Sequence, residues 1–263
     1  MINFFKVKTD MNFLNINQTS NFIDCYEPSN SSREIRFVVL HHIQANSLDH
    51  ALYQLHENKV SCHYLIDDNG NVFELINERD IAFHAGKSYW QGVDGLNKFS
   101  IGIELISNDP FLVGFSKAQM DACAELCRHL SKKYKITPRN FVGHSDVAYC
   151  ADTLMLDRKQ DPSHLFNWEF LANNDIGIFP KISINSNYDK IMFYPLDCSS
   201  DIFKIKNRLK IFGYRVNNFD NHFDEEMQIL ARVFNRRFNP SCYLKNSDSW
   251  YHSSQIILNK LVS

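Results

Sequence analysis

Two histidines, an aspartate, a glutamate and a lysine carry the chemistry this chain could do. Residues 37–42, FVVLHH, form an apolar run that ends on His41 and His42, and residues 100–105, SIGIEL, form another that carries a lone Glu104. Residues 141–161, FVGHSDVAYCADTLMLDRKQD, place His144, Lys159 and Asp161 in a polar segment that follows no helical or strand period. An apolar strand that ends on a His or Glu delivers that side chain to the rim of a sheet, where a rigid scaffold meets variable loops. Two histidines and one carboxylate form a recurring hydrolytic zinc set that leaves the fourth coordination position to water. The expectation is therefore one Zn2+ per chain on His41, His144 and Asp161. Such an ion lowers the pKa of its water and polarises a carbonyl under attack. Glu104 could then move the water's proton, and Lys159 could stabilise an oxyanion.

Each residue also has a plain structural reading. A lone strand histidine also serves as a hydrogen-bonded core residue, and Asp161 before Pro162 also fits a turn. Spacing alone leaves both readings open. Adjacent strand residues point to opposite faces, so His41 is taken as the ligand and His42 is turned away or set behind it. Glu104 is harder to explain structurally, because a buried carboxylate is costly without a partner. There is no H-E-x-x-H helix, no G-x-S-x-G elbow and no C-x-x-C pair, which removes helix-borne zinc proteases, serine hydrolases of the elbow type and dithiol redox chemistry.

The elements that must position these residues are legible in outline. Residues 1–32 are polar and end in PSNSSR, which suggests an irregular N-terminal arm. A buried strand follows at residues 36–40, then a helix capped by Ser47 with Leu48, Leu52 and Leu55 on one face. A hairpin turns at Asp67-Asp68-Asn69-Gly70. Residues 99–106 form a further strand. Ser116 caps a long amphipathic helix with Met120, Cys123, Ala124, Cys127 and Leu130 inward. The alternation predicts an α/β (mixed α+β) fold, with a central mixed β-sheet flanked by helices. Residues 1–175 are assigned to the site-bearing domain, 176–194 to a linker and 195–263 to a small bundle of three helices. The bundle's helices carry Ile202 to Phe212, Met227 to Phe238 and Ile256 to Leu261, the last capped by Ser247 or Asp248.

The 263 residues are 44% hydrophobic and 22% charged, with a net charge of −2. That balance gives no electrostatic reason to expect nucleic acid, and no apolar run is long enough for membrane insertion. Seven cysteines, an odd number, suit free thiols in a reducing compartment. The N-terminal residues MINFFKVKTDMNF do not resemble a secretory signal. A cytoplasmic location is the simplest expectation, with the periplasm, or export without a signal, as the alternative. Oligomeric state is left open.

Several motifs, in order, resemble the type 2 family of zinc-dependent N-acetylmuramoyl-L-alanine amidases, AmpD/AmiD-like and of the peptidoglycan-recognition-protein fold. VVLHHI resembles its first zinc-ligand strand, and SCHYLIDDNGNVFELI its hairpin. AFHAGKSYW resembles its substrate-facing loop, and NKFSIGIEL the strand of its catalytic Glu. GHSDVA followed by RKQDP resembles its second His, its Lys and its Asp ligand. The resemblance implies zinc on His41, His144 and Asp161, with Glu104 and Lys159 catalytic and His84, Trp90 and Asn97 as substrate contacts. It implies hydrolysis of the amide between N-acetylmuramic acid and L-alanine in peptidoglycan or muropeptides, in bacterial cell-wall degradation or recycling. The alternative is a non-catalytic peptidoglycan-recognition protein on the same fold. The segments IKNRLKIFGYRV and ARVFNRRF resemble a helical peptidoglycan-binding module. The chain departs from the pattern at Phe83, where Trp is commoner, and at residues 147–157, an insertion that could cover the site.

Overall fold

The structure is a computed structural model that describes residues 2–8, 13–19, 25–29, 33–148, 158–182 and 189–263. The chain divides into two compact units. The first comprises Met1–Gly86, Gly95–His144 and Asp161–Ile178, and the second comprises Lys87–Asp94, Ser145–Gln160 and Phe179–Ser263.

The first unit is built on a seven-stranded mixed sheet, as the alternation of elements predicts. Its strands are β1 (Ile2–Lys8), β2 (Phe13–Thr19), β4 (Phe37–Gln44), β5 (Tyr64–Ile66), β6 (Val72–Glu74), β10 (Ser100–Ser107) and β11 (Phe141–Gly143), in the order β1-β2-β6-β5-β10-β4-β11. A short ribbon pairs β3 (Tyr26–Glu27) with β7 (Ile81–Ala82). The neighbouring strands β4 and β10 run parallel. Phe37, Val38, Val39 and Leu40 have no exposed surface, the unbroken apolar signature of a strand covered on both faces.

Helix α1 (Leu48–Glu57) starts where Ser47 accepts from the His50 amide, and it buries Ala51, Leu52 and Leu55. Leu55 and Ala51 join Cys62, Leu65, Phe73 and Ile106 in one apolar cluster. Helix α2 (Lys117–Tyr134) opens with a capping box between Ser116 and Gln119 and buries the five predicted inward residues. Gln119 is fully buried, and its amide donates to the Ile106 and Ile66 carbonyls at 2.6 and 3.3 Å. It thereby ties the helix to two strands. In the β5–β6 turn Gly70 sits at φ +80°, where a Cβ would lie 2.6 Å from the Ala118 carbonyl oxygen. Helix α4 (Trp168–Asn173) closes this unit's sequence.

The second unit holds α5 (Ser200–Phe212), α6 (Glu225–Phe238), α7 (Pro240–Lys245) and α8 (His252–Leu261). It also holds the ribbons β8 (Tyr89–Trp90)–β9 (Val93–Asp94) and β12 (Ile191–Phe193)–β13 (Trp250–Tyr251). Its aromatic core sets Trp90 edge-on to Phe212 and Tyr214 at 5.6 and 5.0 Å, and Phe234 against Trp250 and Phe238 at 5.0 Å each.

Four expectations are corrected. The arm at residues 1–32 is not irregular throughout: it supplies β1 and β2, and β2 runs parallel to β6. The linker at residues 176–194 contains β12. The C-terminal helices include the additional short α7, and α8 begins after Tyr251, whereas Asp248 receives Arg232 Nε at 2.8 Å. The units also do not separate at one point, because Trp90 belongs to the aromatic core of the second.

Two buried ionic clusters give measurable consequences. In the first unit Tyr64 Oη and Lys133 Nζ donate to Glu78 at 2.5 and 2.6 Å, joined by Tyr134 Oη. Burial alone would raise the Glu78 carboxyl, but the bonds from Lys133, Tyr134 and Tyr64 hold it below its ordinary value. A lowered folded-state pKa stabilises the fold above the ordinary carboxyl value of 4.5, and that stability is lost as pH falls through the folded value. We expect Glu78→Gln to lose about 1.5–3 kcal/mol at neutral pH and to show a shallower acid limb in urea melts. Unchanged stability at neutral pH would contradict this. In the second unit Arg237 pairs with the fully buried Asp146, which also accepts from Tyr214 Oη at 3.5 Å. Removing one partner of a buried pair strands the other charge, so Arg237→Met should cost about 3–5 kcal/mol, read as a shift in the unfolding midpoint.

Candidate metal centre and active site

The site grows from the parallel register of β4 and β10, which sets Glu104 directly beside His41. Both residues sit well inside their strands, so the backbone ladder fixes their separation. Glu104 Oε1 lies 4.0 Å from His41 Nδ1, and the Glu104 side chain retains 12% of its surface. His144 follows β11, which pairs with the other edge of β4. Asp161 enters from the segment after the insertion, held by its neighbour Ser163, whose hydroxyl donates to the Pro110 carbonyl at 2.6 Å and accepts from the Leu165 amide at 3.2 Å.

These elements bring three donor atoms together. Asp161 Oδ2 lies 3.0 Å from His41 Nδ1 and 3.0 Å from His144 Nδ1. The ligating atoms of the three residues all fall within 4.8 Å of one another, a group that could hold a metal ion. Tetrahedral bonds of 2.0–2.1 Å place neighbouring donors roughly 3.3 Å apart, so the spacing fits a small divalent ion. Burial would raise the Asp161 carboxyl, but the facing His144 and His41 rings hold it well below the usual carboxylate range. It is therefore ionised, as a ligand must be.

The remaining nitrogens of both rings have partners. His41 Nε2 lies 3.0 Å from His84 Nδ1, and His144 Nε2 lies 3.2 Å from the Ala85 carbonyl oxygen. His84 Nε2 in turn lies 3.2 Å from Ser100 Oγ, which donates to the Leu96 carbonyl at 2.7 Å. Burial, then the neighbouring His41, His63, His144 and Arg33, holds His84 well below the ordinary imidazole value, so the ring is neutral. His63 is pushed down to about 3 by burial and by Arg33. Its Nδ1 accepts from the Gly102 amide at 3.0 Å, which makes it a structural histidine.

Of the expected site residues, the first unit assembles His41, His144, Asp161, Glu104, His84 and Asn97. Lys159 is exposed and clusters with the second unit, where Arg236 Nη1 approaches its carbonyl at 3.4 Å. The three expected substrate contacts have partners within the protein. Trp90 has no exposed surface and packs in the second unit's core, so its indole offers no face to a ligand. His84 is only 7% exposed and lies behind His41. Asn97 Oδ1 accepts from the backbone amides of His84 and Ala85 at 3.2 and 2.7 Å, which makes it a clamp on that loop. His42 turns its ring away, edge-on to Phe111 at 5.3 Å. Most of the 147–157 insertion lies outside the described residues. Sequence reasoning missed Ser100, Gly102 and the Ala85 carbonyl. The signal was a glycine inside an apolar strand, which marks a close approach of some other group.

A family model described as N-acetylmuramoyl-L-alanine amidase matches residues 31–164. The chain belongs to the N-acetylmuramoyl-L-alanine amidase family. It is 30% identical over 237 residues to the N-acetylmuramoyl-L-alanine amidase AmiD of Escherichia coli, covering 82% of this chain and 79% of that protein. It is 38% identical over 117 residues to the 1,6-anhydro-N-acetylmuramyl-L-alanine amidase AmpD of Haemophilus influenzae, covering 44% of this chain and 59% of that protein. Among solved structures it superposes on E. coli AmiD in complex with the substrate anhydro-N-acetylmuramic acid-L-Ala-D-gamma-Glu-L-Lys. The TM-score is 0.69 at 28% identity, covering 98% of this chain and 96% of that one. The similarity to AmiD thus covers more of this chain than the amidase match does.

The packing behind the site is open to direct test. A Cβ on Gly102 would lie 2.4 Å from His84 Cγ. Gly102→Ala must displace the ring or bend β10, and overpacking of this kind costs about 1–3 kcal/mol. A variant that melts at the wild-type temperature would contradict the close approach.

Proposed function

We propose that the chain hydrolyses the amide bond between N-acetylmuramic acid and L-alanine using one zinc ion held by His41, His144 and Asp161. The observation that carries this reading is the convergence of both Nδ1 atoms on Asp161 Oδ2, with Glu104 beside them and a family match spanning all four residues. Bound there, zinc would supply a water of lowered pKa and polarise the scissile carbonyl.

The chain's own residues carry the proton and the orientation. Glu104, aligned with His41 across the β4–β10 pair, accepts the proton of the attacking water. It returns that proton to the amide nitrogen, so the leaving group departs as a neutral amine. The buried outer nitrogens of His41 and His144 keep their rings from turning. For the oxyanion, Lys159 is the cation that the RKQDP motif assigns, and this part of the proposal rests on the resemblance alone.

For substrate, we propose anhydro-muramyl peptides, by analogy with the ligand named for the AmiD complex. A peptidoglycan-binding role for the helical second unit is part of the same reading. It is supported by the similarity to AmiD over most of the chain. No helix among the described residues is long and apolar enough to cross a membrane. The cytoplasmic placement rests on the odd number of cysteines, and cell fractionation tests it. A non-catalytic recognition protein is the lesser reading, because the three donor positions and Glu104 are all filled.

Two substitutions separate chemistry from metal binding. Glu104→Gln should retain stoichiometric zinc and lose turnover by roughly 10²-fold or more. His144→Ala should lose the metal and the activity together. Full turnover in the first variant would remove Glu104 from the mechanism, and full zinc content in the second would remove His144 from the ligand set.

A further inference from the structure

We propose that the His84–Ala85 dipeptide is the positioning element of the metal centre. It fixes both histidine ligands from behind, with Asn97 setting the dipeptide and Gly102 making room for it. The inference deepens the zinc reading above and rests on it.

The argument follows the protons. A backbone carbonyl only accepts, so Ser100 Oγ donates to Leu96 O at 2.7 Å, and its lone pair faces His84 Nε2 at 3.2 Å. His84 Nε2 therefore carries the hydrogen. With the His84 hydrogen placed on Nε2, Nδ1 is the nitrogen able to accept, and it lies 3.0 Å from His41 Nε2. His41 Nδ1 is then the nitrogen on the side of Asp161, the one that would hold the zinc. The second ligand is set by the adjacent residue: Ala85 O also only accepts, so His144 Nε2 donates to it at 3.2 Å, and Nδ1 again faces Asp161. Both ligand tautomers thus trace back to carbonyls that do not titrate, Leu96 O and Ala85 O.

The dipeptide is itself held. Both of its amides donate to Asn97 Oδ1, and the Asn97 carbonyl accepts from Arg33 Nη1 at 2.9 Å. The His84 ring lies on the bare backbone of Gly102, where any Cβ would meet its Cγ. Gly102 lies two residues before Glu104 on β10, so the same strand carries the proposed proton carrier and the floor under the positioning ring. At 7% exposure His84 has little surface left for substrate. Its contribution therefore falls on metal affinity rather than on substrate affinity.

The test is zinc affinity of the full chain, measured by competition with a chromophoric chelator, alongside melting of the metal-free protein and KM at saturating zinc. Loss of such an outer partner typically weakens metal binding about 10–100-fold. That loss is expected for His84→Leu and for Asn97→Ala, with KM for an anhydro-muramyl peptide unchanged. His84→Asn keeps an acceptor near the Nδ1 position, and Asn97→Asp keeps the accepting oxygen, so both should bind zinc within a few-fold of wild type. Ser100→Ala, which removes only the far end of the relay, gives the same readout at lower cost to folding and should show a smaller but measurable loss. Wild-type zinc affinity in His84→Leu, or a raised KM with affinity unchanged, overturns the proposal. If the wild-type chain itself takes up no zinc, the assignment of the triad fails and this inference falls with it.

Discussion

A histidine presents a chosen nitrogen to a metal only when its other nitrogen is committed elsewhere. That constraint organises the first unit. Two rings, one on β4 and one just after β11, face a single carboxylate with Nδ1, so each Nε2 needs a partner in a region closed to water. The structure answers with one loop, at His84 and Ala85, packed behind the two rings on the same face of the sheet. Much of the surrounding architecture follows from keeping that loop still: the Asn97 clamp, the glycine in β10 and the Arg33 contacts with Asn97, Glu78 and Ser100 carbonyls.

The sheet sets distances that side chains alone could not hold. Parallel pairing of β4 with β10 and β11 fixes His41, Glu104 and the point where the chain leaves β11 for His144 by backbone hydrogen bonds. Helices α1 and α2 hold those strands in a dry core through Leu55, Ala51 and the Gln119 amide. The second unit has its own logic, an aromatic core crossed by the buried Arg237–Asp146 pair.

What the sequence made legible was the part governed by local pattern. Apolar runs gave β4 and β10, the Ser116 cap and its apolar stripe gave α2, and the Asp-Asn-Gly turn gave the β5–β6 hairpin. The grouping of His41, His144 and Asp161 was legible because motif order, rather than any one residue, carried it. What failed depended on long-range partners. Residues 1–19 look polar and irregular, yet β1 and β2 extend the sheet through backbone pairing, which composition does not encode. Trp90 sits in a loop motif and looked like a substrate platform, but its indole is claimed by Phe212 and Tyr214, more than a hundred residues away. His84 and Asn97 were legible as residues near the site, but their partners, His41 and the His84 and Ala85 amides, were not, since sequence shows proximity and not direction.

The central claim is that this chain is a zinc amidase acting through one assembled triad. Mass analysis of an anhydro-muramyl tripeptide incubated with the purified protein, before and after removal of metal by a chelator and again after zinc is restored, tests it most directly. The account predicts release of anhydro-N-acetylmuramic acid and an intact peptide with L-alanine at its N-terminus, abolished by the chelator and recovered with zinc. Cleavage that persists in the metal-free protein, or cleavage at a different bond, would contradict it.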